Sequence, residues 1–584
     1  MEYVYKIYPA IGIARVGDAD DYYIGPETYR GLPINPDGSP FKASDFRDSA
    51  DKVRRQGARF RVYKETVAGE FIEEVTPGAD GVKSIEWTVH LANKKPVWYN
   101  FITSLGENGY ASNHPWRNSY IKGKTERQKL IIDPGPRTLT GPDQQASFAK
   151  GTAKGYPATY PPDDVKPFTI DTIGDMLTDA QGRLIVLGGH GSSGTTHYSP
   201  EITDYANNDG WWDDTSDGPV QAKVHLADGQ VIDAAGAWVM VAPPKYAPQV
   251  ANLVTLHDTM YDVAVRDMGF RKDIFHNYEW NFNYKPDFDT EILPILERGN
   301  TYPWVVAIPP KPHDFNLAIL GDPDAKYDSM RKYYLDKVRA PNQENLIQSP
   351  QSGHTMMPYL AGDDCLSEAL SSSRYLTFTQ TQYFLLEQWA DGKFVRGTAP
   401  AIHPGRQLTE AVLGNCVGGA FSPGIEMTWI CRNTAIYDEP FRLKHKKNVP
   451  VPLSLDFNLA AGLEPGDATK FMAVPWQADF NECAAQPLID KVVFWWPAQR
   501  PLWVYADVGE GKWTQVAWAG IDFDQNAPDY LQFADDLTMV TEWKRMGFVI
   551  ERDKAEGNPR YIEVARTLPR NSDQQMSVIT KSNA

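Results

Sequence analysis

Cysteine is scarce in this protein: 584 residues contain four, Cys365, Cys416, Cys431 and Cys483, with no pair in a C-x-x-C arrangement. That pattern argues against a disulfide framework and against a structural zinc site. The histidines form no H-E-x-x-H or other metal spacing, so no metal is expected. There is no G-x-S-x-G nucleophile elbow, no phosphate-binding loop and no internal repeat. Apolar runs such as Trp238 to Val241 are too short to cross a bilayer. The segment Met1 to Lys6 has no basic stretch followed by an apolar one, so a cytoplasmic product is expected, with export by a route needing no signal peptide left open. Basic residues are outnumbered 58 to 75, and the net charge of −17 disfavours binding to nucleic acid or an anionic membrane.

What is present is aromatic and proline-rich: 17 Trp, 29 Tyr and 44 Pro favour strands and long ordered loops over a helical bundle. The length exceeds what one core usually serves. The expectation is a β-rich α+β protein, with a sandwich-like N-terminal region (1–245) packed on a mixed region (246–584). Phe60–Lys64 and Ile85–Leu91 alternate apolar and polar residues and predict strands. Arg47–Arg59 is charged and read as a possible helix, and Ala247–Asp267 as a long one, from the spacing of Val250, Leu253, Val254 and Leu256. Thr379 to Gln382 fits a capping box opening a helix that Gly392 would end. A short helix over Gln407–Leu413 should deliver the chain to Cys416.

Several short motifs carry chemistry or imitate it. Gly189 to Gly194 matches G-x-G-x-x-G after a strand, but Pro200 follows before any useful helix, so a glycine-rich loop is expected in place of a dinucleotide site. Asp213–Gly218 opens like a calcium loop, yet position twelve is Val224, which leaves a solvated acidic turn beside Trp211 and Trp212. Cys416 stands among Gly414, Gly418, Gly419 and Gly424, where the backbone can turn sharply and admit a close neighbour. Trp476 follows Pro475 and, taken alone, reads as core.

The segment Cys416-Val-Gly-Gly-Ala-Phe-Ser-Pro-Gly-Ile-Glu426 and the segment Pro475-Trp-Gln-Ala-Asp-Phe480 closely resemble those of the quinoprotein amino-acid oxidases that carry cysteine tryptophylquinone, the family of L-lysine 6-oxidase and glycine oxidase. Tyr8–Gly17, Ile24–Glu27, Trp87–Lys95, Leu187–Gly191 and Tyr375–Trp389 look like signatures of the same family, so the resemblance covers most of the chain. It implies a quinone made from Cys416 and Trp476, and oxidative deamination of a primary amine on glycine or lysine through a Schiff base. Dioxygen would be the acceptor, and ammonia and hydrogen peroxide products. It further implies a flavoprotein that assists cofactor formation and an assembly of identical subunits.

This chemistry needs a general base to take a proton from the carbon bearing the nitrogen. Family members use an aspartate upstream of the cysteine, and Leu408–Asn415 contains none. Glu410 is the nearest upstream carboxylate, with Asp479 and Glu426 the other candidates. His354, in a loop leading to Asp363 and Asp364, is a further candidate to reach the site. The missing aspartate leaves a second reading open: a silent family member that binds a partner without a mature quinone. A flavin or nicotinamide enzyme is a more distant rival.

Overall fold

The computed structural model describes all residues except 1, 80, 102–114, 308–314, 342–344, 348–355, 363–372, 400, 457, 489–490, 508, 510, 520–530 and 570–584. Strands fill its first part: β1 (Tyr3–Tyr8), β2 (Ile11–Arg15), β3 (Tyr22–Ile24), β4 (Arg55–Thr66), β5 (Phe71–Val75), β6 (Val82–Val89), β7 (Arg137–Thr140) and β8 (Gln145–Ala149). They continue with β9 (Lys166–Pro167), β10 (Thr172–Thr178), β11 (Leu184–Gly188), β12 (Ser193–Thr195), β13 (Trp211–Asp213), β14 (Ser216–Leu226), β15 (Val231–Asp233) and β16 (Ala237–Ala242). Thirteen of these form one sheet along the path β7-β6-β14-β16-β2-β4-β11-β10-β8, with β1, β3 and β5 on β4 and β15 on β14. β7 and β8 also meet, because Arg137 Nε donates to the Ser147 carbonyl at 2.8 Å. The expected β-rich N-terminal region therefore exists as a single sheet that nearly closes on itself, while β13, β12 and β9 form a small sheet beside it.

Side-chain alternation along β16 and β2 decides what lies on each face of the sheet. Ala237, Val239 and Val241 point into the main core with Phe60 and Trp87, whereas Trp238, Met240 and Ala242 point outward with Ile11 and Ile13 into a second apolar layer. β16 and β2 run parallel, pairing Trp238 with Ile11 and Met240 with Ile13. On the inner face Gly12 has no room for a side chain, since a Cβ there would lie 2.3 Å from the Phe60 ring. The same alternation turns Arg15 outward, and this places a guanidinium in the second layer.

That layer is covered in part by two of the helices, those that carry Leu256, Met260 and Val263 and that end at Leu413, while most of the others pack into the main core. Among the described residues the helices are α1 (Lys124–Gln128), α2 (Leu256–Asp267), α3 (Leu293–Thr301), α4 (Leu317–Leu320), α5 (Asp328–Leu335), α6 (Gln380–Ala390), α7 (Pro404–Leu413), α8 (Trp476–Glu482) and α9 (Asp536–Glu542). α6 begins at the expected Thr379 capping box, and Gly392 follows its last turn with φ +73°. Two expectations are corrected. The helix foreseen over Ala247–Asp267 starts only at Leu256, because Thr255 and Asp258 form a capping box that resets its start and leaves Val250, Leu253 and Val254 in extended chain. Arg55–Arg59, foreseen as helical, belongs to β4, where Arg59 and Arg61 project from the sheet to share Glu27.

A buried charge network ties the sheet to the C-terminal half. Lys94, just beyond β6, donates to Glu464 at 2.8 Å and to Asp467 at 2.9 Å, and Lys446 and Lys470 complete the network at 2.5 and 3.0 Å. Burial alone would raise the Glu464 pKa, but the Lys94 charge and hydrogen bonds from Lys446, Lys94 and Ser454 outweigh it and hold the carboxyl at about 2. Because that value lies below the ordinary 4.5, the stabilisation is complete above about pH 4.5 and is lost as pH falls toward 2. We expect Glu464→Gln to cost about 3 kcal/mol of unfolding free energy at neutral pH. The deficit relative to wild type should shrink below pH 4.5 in denaturant titrations.

Candidate active site

α7 crosses the outer face of β2 and ends at Leu413, and the chain turns immediately into Cys416. Gly414 makes this turn possible by close approach: a Cβ would lie 2.7 Å from the Glu410 carbonyl. Extended chain before α2 clamps the turn. Leu256 N and Asn252 Nδ2 both donate to the Cys416 carbonyl at 3.2 Å, and Gly418 N donates to the Val254 carbonyl at 3.1 Å. The Cys416 carbonyl thus satisfies a free N–H at the α2 N-terminus. Gly418 admits no side chain, because a Cβ would sit 2.1 Å from the Thr255 carbonyl.

Charge fixes the other side of the turn. Arg15 Nη2 donates to Glu426 at 2.7 Å, and Glu426 accepts Val417 N at 2.9 Å. Cys416 is fully buried in no disulfide, its Sγ donating to the Val412 carbonyl at 3.3 Å with Arg15 Nη2 at 4.0 Å. Burial, then the Glu426 charge, push its thiol pKa well up. Lys245 donates to the carbonyl and side-chain oxygens of Asn415 at 2.9 and 2.5 Å. Burial, then repulsion from Arg15, bring its amine down to about 7.

Trp476 opens α8, and its N–H donates to Asp213 Oδ2 at 3.0 Å. Asp213 also accepts from Lys95 Nζ at 2.5 Å and from Asn93 and Thr215, so a fully paired carboxylate caps the helix. The acidic turn expected to be solvated is instead buried throughout: Asp213, Asp214 and Asp217 are all at most 1% exposed. Asp217 receives bonds from Thr469, Ala468 and Trp238. Asp214 accepts Ser192 N at 2.9 Å, and burial raises its carboxyl to about 7. The glycine-rich loop, which leads to no helix, also serves this site. Gln477 donates to the Gly191 carbonyl at 3.1 Å, and Gly191, at φ +73°, lies so close to Trp543 that a Cβ would come within 2.0 Å of its ring. Trp543 in turn packs edge-on against Trp476 with centroids 5.6 Å apart.

Both motifs meet around α8 without sharing one apolar cluster. Cys416 belongs to the outer layer, Trp476 to the main core with Val417, Ala420 and Phe480. Ser422 Oγ approaches Cys483 Sγ, at the end of α8, to 4.0 Å. Trp476 is 3% exposed and its indole N–H has no partner among the described residues; Asp479, three residues on, is 2% exposed with Oδ1 equally unpartnered. Residues at i and i+3 share a helix face. Each unpartnered buried polar atom costs about 1–3 kcal/mol, so both are open to a polar partner beyond the described side chains. Burial pushes the Asp479 carboxyl well above its ordinary range.

The remaining candidates are placed as follows. Glu426 is committed to Arg15 and Val417. Glu410 lies half-buried on α7, its side chain making no hydrogen bond among the described residues. His354, Asp363, Asp364 and Cys365 lie outside the described residues. Sequence reasoning missed the roles of Asp213, Lys95, Arg15 and Lys245, whose charged or capping partners lie more than 100 positions away; the period-two alternation of β2 is the one signal that could have found Arg15.

Comparison with known proteins places these features in a common frame. Family models described as L-lysine epsilon oxidase N-terminal and L-lysine epsilon oxidase C-terminal domain match residues 8–241 and 363–501. L-lysine 6-oxidase of Marinomonas mediterranea is 34% identical over 529 residues, covering 82% of this chain and 71% of that protein. The crystal structure of the Schiff base intermediate of L-Lys epsilon-oxidase from Marinomonas mediterranea with L-Lys superposes with a TM-score of 0.83 at 30% identity, covering 97% of this chain and 95% of that one. The crystal structure of the L-Lys epsilon-oxidase from the same organism gives the same values.

The depressed Lys245 pKa has a consequence for stability. An unfolded lysine titrates at about 10.5 and the folded one at about 7, so between these values the unfolded chain binds the extra proton. Stability should therefore be greatest above pH 10.5 and fall as pH drops toward 7. We expect Lys245→Met to remove this slope. The wild-type minus variant difference in unfolding free energy, followed from pH 7 to 10, should rise with pH; a flat difference would show that the amine stays charged.

Proposed function

The chain belongs to the L-lysine epsilon oxidase family and is a quinoprotein amino-acid oxidase; we propose that its cofactor is cysteine tryptophylquinone built from Cys416 and Trp476, and that L-lysine is its substrate. The observation that carries the cofactor reading is that the Cys416 and Trp476 segments meet at α8, where Ser422 Oγ lies 4.0 Å from Cys483 Sγ, with the Cys416 thiol buried in no disulfide and the Trp476 indole N–H without a partner among the described residues. These residues fit the group: each is buried and held through its backbone. Lysine is taken from the activity of the relative, with glycine the competing substrate. The quinone supplies an electrophilic carbonyl for the amine and a sink for two electrons.

Each nearby side chain has a defined task. Lys95 and Asp213 fix the Trp476 backbone, and Phe480 and Trp543 hold the indole edge-on and exclude water. Arg15 holds positive charge 4.0 Å from Cys416 Sγ, where it favours the thiolate against burial. Asp479 is the general base, since its free oxygen lies on the Trp476 face of α8. Burial raises its proton affinity well above that of an ordinary carboxylate, as suits a base, and an incoming ammonium favours the carboxylate by charge attraction. Joining sulfur to the indole ring and adding two oxygens is a net oxidation. The chain's own side chains contain no oxidant for it, which supports a flavoprotein maturation partner; assembly of identical subunits is part of the same proposal.

Two measurements test this reading. Peptide mass spectrometry of protein produced with its native neighbouring genes should show one species joining the Cys416 and Trp476 peptides, resistant to reduction and carrying two added oxygens on the tryptophan. Phenylhydrazine should label that species stoichiometrically. Separate unmodified peptides under those conditions would sink the proposal and leave a silent binding protein. For the base, Asp479→Asn should keep the crosslink while lowering kcat about 10²- to 10⁴-fold. It should also abolish the rise of kcat/KM with pH that carboxylate formation produces; a variant with normal kcat would assign the base elsewhere.

A further inference from the structure

An apolar cavity of about 120 Å³ lies between α3, α6 and the extended chain before α2, walled by Leu253, Val306, Leu360, Phe378, Leu386 and Trp389 among others. Among the described residues no charged side chain lines it, and the Tyr302 hydroxyl in its wall accepts Leu253 N at 3.0 Å. A cavity of this size and lining stays free of water and takes up small apolar molecules. It is separated from the Cys416 turn by one thickness of backbone. Along the segment 252–255 and the first residue of α2, Leu253 faces the cavity while Asn252, Val254 and Leu256 bond to the turn through Cys416 and Gly418. The second part of the partition repeats this pattern. Phe378 faces the cavity, while Leu376, bonded to the cavity residue Leu360, abuts Gly419. A Cβ on Gly419 would lie 2.8 Å from Leu376 and 3.0 Å from Val254, so glycine backbone packs directly against the partition there.

We propose that this cavity is a binding site for dioxygen, which collects there and crosses the Val254–Leu376 partition to the site at Cys416 and Trp476. The proposal rests on the oxidase reading, in which each turnover passes two electrons and two protons to dioxygen and releases hydrogen peroxide. The amine substrate is charged and hydrated and gains nothing from an apolar chamber. Dioxygen is small and apolar, and burial in such a space is favourable for it. Separate entry keeps the two reactants from competing for one path.

Xenon is the probe, because it reports the chamber independently of turnover. Crystals of the full-length protein pressurised with xenon should show density among Leu253, Leu386 and Trp389; a cavity without xenon overturns the proposal. Leu386→Phe, which fills the space, should raise KM for dioxygen about five-fold or more, with KM for the amine and kcat at saturating dioxygen within about two-fold of wild type. Leu386→Ala, which enlarges it, should leave KM for dioxygen unchanged or lower. Equal changes in both KM values, or none with the filling variant, would overturn the proposal even if xenon binds. If neither variant folds, the xenon experiment on the wild type decides. Loss of the quinone reading is distinguishable, since it would appear as absent phenylhydrazine labelling in the wild type with xenon still bound.

Discussion

The Asp213 carboxylate joins the sheet side of the molecule to the helix that carries Trp476, and it does so from a fully buried position. An ionised carboxylate there is tolerated only because every lone pair is used: Lys95 supplies the countercharge, Asn93 and Thr215 donate, and the Trp476 N–H completes the set. Removing any donor would leave charge stranded in a dry interior. Trp476 is therefore fixed at its backbone before its ring chemistry is considered. The ring is then confined by Phe480 and Trp543, with Trp543 pressed against Gly191.

Cys416 is anchored by a different set of forces. Its turn hangs from the α2 N-terminus through the Cys416 carbonyl and is drawn to β2 by the Arg15–Glu426 pair. Both anchors lead back to the same sheet: Arg15 stands on β2, and Lys95 and Asn93 directly follow β6. Two residues 60 positions apart in sequence are thus referenced to one rigid scaffold, which supplies the preorganisation that a reactive centre needs.

Much of this was legible in the sequence where local rules apply. The β6 alternation, the Thr379 capping box and the failure of the glycine-rich loop to open a helix follow from spacing and turn chemistry, and the structure agrees. Family membership was legible because the Cys416 and Trp476 segments are long and specific. The rest was illegible for physical reasons. Asp213 to Asp217 read as a solvated turn since nothing nearby in sequence announces Lys95, Thr469 or Trp238, and burial of a charge is decided by partners the chain delivers from elsewhere. Thr255 hid the true start of α2 because the apolar spacing before it happened to continue. Lys245 sits between prolines and a tyrosine, and only the approach of Asn415 gives it a role.

Satisfied and unsatisfied buried polar groups lie close together around the two motifs. Around Asp213, Asp217 and Glu426 the buried carboxylates are met by donors on several sides, which is the pattern of groups retained for positioning. On the Trp476 face of α8 the pattern reverses: the indole N–H and one Asp479 oxygen are left open in the same dry environment. Asp214 Oδ1, beside Asp213, is open as well, and in both Asp214 and Asp479 burial raises the proton affinity of the carboxyl. The missing upstream aspartate fits this arrangement. Val412, in the last turn of α7, accepts the Cys416 thiol through its carbonyl. Asp479, the base proposed above, lies on the tryptophan side and shares α8 with Trp476.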